Sequence, residues 1–361
     1  YLLDVVKYWV SEFDVDGIRL DAADVLDFGF MHELRMLANE IKPEFWLMGE
    51  VIHGDYSRWV NSDMLHSVTN YQLYKALYSG HNEHNYFEIA HTVRYLLDKG
   101  NLPYHLYNFV DNHDVERIYT RLLNKHEFVP VHILMYTLPG IPSVYYGSEF
   151  GIEGRKEKHS DAVLRPAINL EDYPNALDEN GCTNIIARLG EIRQKNSVFS
   201  DGIYQELRLT NRQYAFSRTN EITQAIVVVN NDEVDSSLDI PATGTYTELL
   251  SGEIQSVDGN LHVHLHACSG QIWMKDYDET VTRKREVKIP EIKQVAVKEE
   301  TIKQVTVDYS KSYEEMSIEE LQACVIEKLA KNGPVTEQMK RDVANNVYHD
   351  SLINWVKSFR N

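Results

Sequence analysis

Three acidic side chains, Asp21, Glu50 and Asp114, each close a short apolar run, at residues 15–20, 45–49 and 107–110. A carboxyl group can serve as nucleophile, proton donor or proton acceptor, so several gathered at one point can divide a bond cleavage between them. One acidic strand end says little. Three in succession say more, because the strand ends of a parallel α/β barrel converge on one pocket. Arg19 stands two residues before Asp21, and on an extended strand such a pair shares one face. Its guanidinium would keep Asp21 ionised and oriented. His262, His264 and His266 also alternate along one run and resemble a metal site in spacing. An exposed sheet face is the plainer reading of that pattern, and no metal site is assigned.

The elements that must position these groups alternate in period. Residues 1–13 place Leu2, Val5, Val6, Trp9, Val10 and Phe13 on one helical face. Further helices are expected at about 28–41, 71–78, 87–98 and 129–138. Between them lie the strand-like runs VDGIRL, FWLMG, MLHSVTN, YNFVDN and IPSVYYG. Five strands alternating with helices imply a parallel α/β arrangement. Residues 151–182 are polar and rich in turn formers, a long loop, and 183–197 reads as one more helix.

From about 203 to 275 the period changes to two, with runs such as AIVVVN and LHVHLHAC separated by Asn, Asp and Gly, which predicts a small antiparallel β-sandwich. Residues 276–310 are charged and hold a local repeat, Ile292 to Val297 recurring at Ile302 to Val307, so they read as a linker or small hairpin. Ser317-Ile-Glu-Glu320 is a capping-box signature that opens a helix. Asn332-Gly333-Pro334 would stop it, and a second helical pattern runs to about residue 359. The expected domains are therefore 1–200, 201–275, 276–310 and 311–361, the last a helical pair packing on the chain itself or on a partner, such as a second copy.

Composition narrows the function. A net charge of −19 over 361 residues speaks against a nucleic-acid partner. It suits a neutral substrate far better than an anionic polymer. Cys182, Cys268 and Cys324 are odd in number and far apart, so they read as reduced, buried thiols of a cytoplasmic protein. No apolar run approaches the ~18 residues of a membrane span, so no membrane partner is expected.

The motifs around the three carboxyls resemble those of the α-amylase family, glycoside hydrolase family 13. Asp16-Gly-Ile-Arg-Leu-Asp-Ala-Ala23 is similar to its nucleophile motif, Trp46-Leu-Met-Gly-Glu50 to its acid/base motif, and Phe109-Val-Asp-Asn-His-Asp114 to its third-carboxylate motif. Ile141-Pro-Ser-Val-Tyr-Tyr-Gly147 is similar to the segment on its last barrel strand, and all four occur in the family's order. The flavour is that of its neopullulanase, cyclomaltodextrinase and maltodextrin glucosidase members. The resemblance implies strands four to eight of a (β/α)8 barrel, followed by a β-sandwich and a helical tail. It implies retaining cleavage of α-glucans, with Asp21 as nucleophile and Glu50 as acid/base. Asp114 would be the third carboxylate, holding sugar hydroxyls together with His113. Arg19, His53 and Tyr146 complete the expected substrate-binding set.

Some family features are not in the chain. The first motif, strands one to three and the loop domain after strand three have no counterpart, so the chain reads as a fragment, poorly stable and inactive alone. No cofactor is implied; a family calcium site would draw ligands partly from that upstream segment. Asp24-Val25 stands where many relatives carry Lys-His, and Ile52 where neopullulanase-type members carry Trp, which alters acceptor-side contacts. The expected substrate is an α-1,4- or α-1,6-linked glucan oligosaccharide. The competing readings are a glucan transglycosylase and a non-catalytic glucan-binding or transporter-associated relative. The intact carboxylate trio argues against the second.

Overall fold

The computed structural model describes residues 1–276 and 310–332, together with Val335, Lys340, Val343, Leu352, Ile353, Val356 and Lys357. They fall in two compact units, one within Tyr1–Lys293 and the other within Gln294–Asn361. The repeat at 292–307 and nearly all of the charged segment lie outside the described residues.

The first unit opens with helix α1 (Leu2–Phe13) and strand β1 (Gly17–Leu20), then α2 (Phe28–Ile41) and β2 (Trp46–Gly49). Next come β3 (Ser67–Val68), α3 (Tyr71–Asn82), α4 (Tyr86–Leu97) and β4 (Tyr107–Asn108). The single-turn α5 (Ile118–Arg121), then α6 (Phe128–Thr137) and β5 (Ile141–Pro142), complete the alternation. β1, β2 and β3 pair in parallel in that order, with Arg19 beside Met48 and Gly49 beside Val68. β4 pairs in parallel with β5, and a parallel bridge between Thr69 and Tyr107 joins the two sets. The five strands thus run side by side in chain order, which puts all their C-terminal ends on one edge.

Local chemistry starts the helices where the sequence places them. Asp27 caps α2 by accepting from the Phe30 N–H at 2.8 Å, and Asn70 caps α3 by accepting from the Leu73 N–H at 3.1 Å. α1 behaves differently from its pattern. Only Val6 is buried, while Leu2, Trp9 and Phe13 are exposed, since α2 covers just one narrow stripe of it.

After β5 the long loop carries only short turns, among them α7 (Ala176–Glu179). It leads to α8 (Gly181–Lys195), the single-turn α9 (Val198–Asp201) and six strands. These are β6 (Ile203–Leu209), β7 (Gln213–Thr219), β8 (Gln224–Asn230), β9 (Ser236–Glu248), β10 (Ile254–Leu265) and β11 (Ser269–Lys275). They form one antiparallel sheet in the order β10-β9-β11-β8-β7-β6. The expected two-sheet sandwich is therefore corrected to a single curled sheet. The long β9 and β10 bend back, so that β10 touches β8 and β11 although in the sheet it pairs with β9.

Curling gives each face of the sheet its own core. Ala215, Val228, Ile240, Leu261, Val263 and Trp273 pack on one another inside the curl. Tyr214, Phe216, Val227, Val229, Ile272 and Met274 face outward into a second core shared with α3, α4 and α6. That is why AIVVV is apolar at consecutive positions: both sides of β8 are covered. It is also why α6, which lies between the helical layer and this sheet, is buried nearly all round.

No disulfide joins Cys182, Cys268 and Cys324. No helix among the described residues is long and apolar enough to cross a membrane.

In the second unit, α10 (Ile318–Asn332) begins with the capping box read from the sequence. The Glu320 N–H donates to Ser317 Oγ at 3.2 Å and the Ser317 N–H to Glu320 Oε2 at 2.8 Å. Met316, Leu321, Cys324 and Val325 share a core with Val343, Leu352, Ile353 and Val356. Of the second helical run, only Lys340, Val343, Leu352, Ile353, Val356 and Lys357 are described, all of them helical.

Candidate active site

The site is built from the loops that leave the C-terminal ends of the five parallel strands. Arg19 on β1 sends Nη1 to Asp21 Oδ1 at 2.7 Å and Nη2 to Glu50 Oε2 at 3.1 Å. One guanidinium therefore ties together two carboxylates from adjacent strands. Its hydrogen bond and its charge hold the Asp21 carboxyl below the usual carboxylate range, with a smaller contribution from His113. Just after Asp21, Ala22 adopts a left-handed backbone (φ 43°, ψ 47°), which aims its N–H at Glu50 Oε2 at 3.2 Å. A non-glycine residue in that region carries strain of about 1–3 kcal/mol. Here the strained turn supplies a hydrogen bond to a site carboxylate.

Glu50 follows Gly49 at the end of β2. A Cβ at Gly49 would lie 2.5 Å from Leu65 Cδ1 and 2.8 Å from Ala23 Cβ, so the close packing that seats Glu50 needs glycine there. The Glu50 backbone is pinned to β1 through its N–H on the Leu20 carbonyl and its own carbonyl on the Ala23 N–H, both at 2.8 Å. The Tyr71 hydroxyl, at the start of α3, donates to Glu50 Oε1 at 3.3 Å. Burial pushes that phenol up to about 12, so it stays a neutral donor. The two carboxylates have unlike surroundings: the side chain of Asp21 is 80% exposed and that of Glu50 only 11%.

The third carboxylate follows β4. Asn112 accepts from the Asp114 N–H at 2.8 Å and the Val115 N–H at 3.1 Å, and donates through Nδ2 to the Tyr71 hydroxyl at 3.2 Å. A hydrogen-bonded path thus links the Asp114 turn to Glu50. His113 Nε2 lies 3.0 Å from Asp114 Oδ2, and Arg165 Nη2 lies 2.9 Å from Asp114 Oδ1. Arg165 and Lys156 come from the long loop after β5 and also bond the carbonyls of His113 and Asp114.

The expected site residues divide accordingly. Arg19, Asp21, Glu50, His113 and Asp114 are brought to the same strand-end face. His53 is exposed on the loop after β2, with no hydrogen-bond partner among the described residues. Tyr146 is 43% exposed and its hydroxyl holds the Pro166 carbonyl at 3.0 Å, while Tyr145 is the ring beside His113, with centroids 6.4 Å apart. Tyr71, Asn112, Arg165 and Tyr145 complete the geometry and were not assigned from the sequence. Asn112 lies inside the Asp114 motif and Tyr145 inside the β5 motif, where a signal existed. Tyr71 and Arg165 carry none, since one looks like any helix-opening aromatic and the other lies in a loop without period.

A match to the α-amylase catalytic domain spans residues 1–195, and one to the α-amylase C-terminal all-beta domain spans residues 208–328. The chain belongs to the α-amylase family. It is 30% identical over 236 residues to a cyclomaltodextrinase of Thermoanaerobacter pseudethanolicus, covering 64% of this chain and 40% of that protein. It is 28% identical over 284 residues to neopullulanase 2 of Thermoactinomyces vulgaris, covering 75% of this chain and 47% of the relative. The chain spans less than half the length of either. Among solved structures, an α-amylase from Geobacillus thermoleovorans complexed with acarbose superimposes with a TM-score of 0.65. That match has 20% identity and covers 78% of this chain and 64% of that chain, a likeness of fold.

Proposed function

We propose that this chain carries the reacting carboxylates of a retaining glycosidase that cleaves α-glucosidic bonds in maltodextrin-type glucans. In this reading the five parallel strands are the fourth to eighth of a (β/α)8 barrel. Residues 1–200 supply that barrel segment and 201–275 the all-β domain. Asp21 attacks the anomeric carbon while Glu50 protonates the glycosidic oxygen. In the second half-reaction Glu50 takes a proton from the water that releases the sugar. Asp114 and His113 bind the hydroxyls of the reacting ring, and those bonds strengthen as the ring flattens toward an oxocarbenium ion.

The observation that carries the reading is the guanidinium shared by Asp21 and Glu50. Retaining enzymes hold their two carboxyls about 5–5.5 Å apart, whereas inverting enzymes leave about 6.5–9.5 Å for a water. A single Arg19 fork bonded to both favours the closer spacing. The Arg19 guanidinium holds the Asp21 carboxyl below the usual carboxylate range, which suits a nucleophile that must be ionised. The choice of maltodextrins follows the relatives named cyclomaltodextrinase and neopullulanase.

The test uses the protein that carries this chain, with maltotriose as substrate. Proton NMR should show the α-anomer as the first product. Glu50→Gln should lower kcat by about 10²–10⁴-fold with maltotriose binding preserved. A β-anomeric first product excludes double displacement, and undiminished turnover in Glu50→Gln removes the role given to Glu50.

A further inference from the structure

The outer face of the β9–β10 hairpin carries a cluster that the reaction above does not use. Leu261, Val263 and Leu265 point into the curl and are fully buried, so His262 and His264 on the same strand point outward, and His266, just past its end, is exposed as well. Across the hairpin, His262 is paired with Asp239 and His264 with Ser237. Asp235, immediately before β9, completes a group with His264 and His266. One ligand atom from each of the three lies within 4.8 Å of the others.

We propose that Asp235, His264 and His266 form a binding site for a late first-row divalent cation such as Zn²⁺. Imidazole and carboxylate are the ligand types such ions take, and two His with one carboxylate leave a coordination position open to water. The cluster is also pre-oriented. Asp235 Oδ1 is held by the Ala267 N–H at 3.0 Å, which leaves Oδ2 facing His266 Nδ1 at 3.1 Å and His264 Nε2 at 3.5 Å. On the far side of its ring, His264 Nδ1 bonds Ser237 Oγ at 3.1 Å, the kind of outer contact that fixes a metal-binding imidazole. Two of the three ligand-atom separations, 3.1 and 3.5 Å, lie on either side of the roughly 3.3 Å expected around a tetrahedral zinc ion, and the third is within 4.8 Å. His262 is engaged elsewhere, on Asp239 Oδ1 at 2.9 Å, and serves as the internal control.

A cation here would bridge the start of β9 to the end of β10, the edge strand of the sheet, and stabilise the folded chain by mass action. The experiment is calorimetric titration of the full chain with zinc chloride near neutral pH, accompanied by thermal melts with and without zinc. The expected result is one site per chain with a micromolar dissociation constant and a melting temperature raised by zinc. His264→Ala, His266→Ala and Asp235→Asn should each weaken that site at least about tenfold, while His262→Ala leaves it unchanged. All four side chains are exposed, so the metal-free melts of the variants should match that of the parent. The proposal is overturned if the parent binds no zinc at a single site. It is equally overturned if the three variants bind like the parent, or if His262→Ala weakens binding as much as they do.

Discussion

Tyr71 shows how much a single hydroxyl can organise. It donates to Glu50 Oε1, accepts from Asn112, and packs edge-on against Phe109 at 4.9 Å. It thereby connects the turns after β2, β3 and β4. A side-chain hydrogen bond contributes about 0.5–1.5 kcal/mol, and this one is 3.3 Å long. Tyr71→Phe keeps the ring packing and removes the donor. The expected loss in kcat/KM on maltotriose is roughly tenfold, carried by kcat. Steady-state kinetics check this; unchanged kcat and KM would reduce Tyr71 to a packing residue. Arg19 acts at the same scale, since Asp21 is ionised through its fork and Glu50 is oriented by it.

Among the elements, the turn that opens α6 holds a buried acid whose titration should be visible in stability. Glu127 lies between the helical layer and the curled sheet, accepting from the Cys268 thiol at 3.4 Å, with His81 Nε2 3.9 Å away. Burial pushes Glu127 up to about 8 and His81 down to about 4. Between those values the two face each other as neutral acid and neutral imidazole, not as an ion pair. The native state then keeps a proton that the unfolded chain releases near pH 4.5. Stability from this group is full below that pH and is lost as pH rises through about 8. Glu127→Gln fixes the neutral form. It should overtake the parent toward alkaline pH by on the order of 2 kcal/mol. Melting curves across the range decide the matter, and parallel pH dependence in the two proteins would refute it.

For the molecule as a whole, the notable surface is α1. Leu2, Tyr8, Trp9 and Phe13 are 58%, 55%, 43% and 65% exposed on one helix beside the edge strand β1. Contiguous apolar surface of this kind binds other apolar surfaces. The chain should bind an environment-sensitive apolar dye, and Trp9→Lys with Phe13→Lys should cut the dye fluorescence severalfold. Equal fluorescence in parent and double variant would place the apolar surface elsewhere.

What could be read from the sequence is what local geometry encodes. A period of two puts Arg19 and Asp21 on one face, and they bond at 2.7 Å. Ser317 and Glu320 cap their helix because they lie only three positions apart. The acidic ends of three apolar runs lie on one edge because parallel strands, joined through helices, all point the same way. Tertiary structure decided the rest. The consecutive apolar residues of β8 specify two covered faces but not whether a second sheet or a curl of the same sheet covers one of them. Likewise no spacing says that Tyr71 meets Glu50, that Arg165 reaches Asp114, or that Asp235 joins His264 and His266. Sequence period tells which side of an element a residue occupies. Which distant side chains then come together depends on how whole elements pack, and no local pattern carries that information.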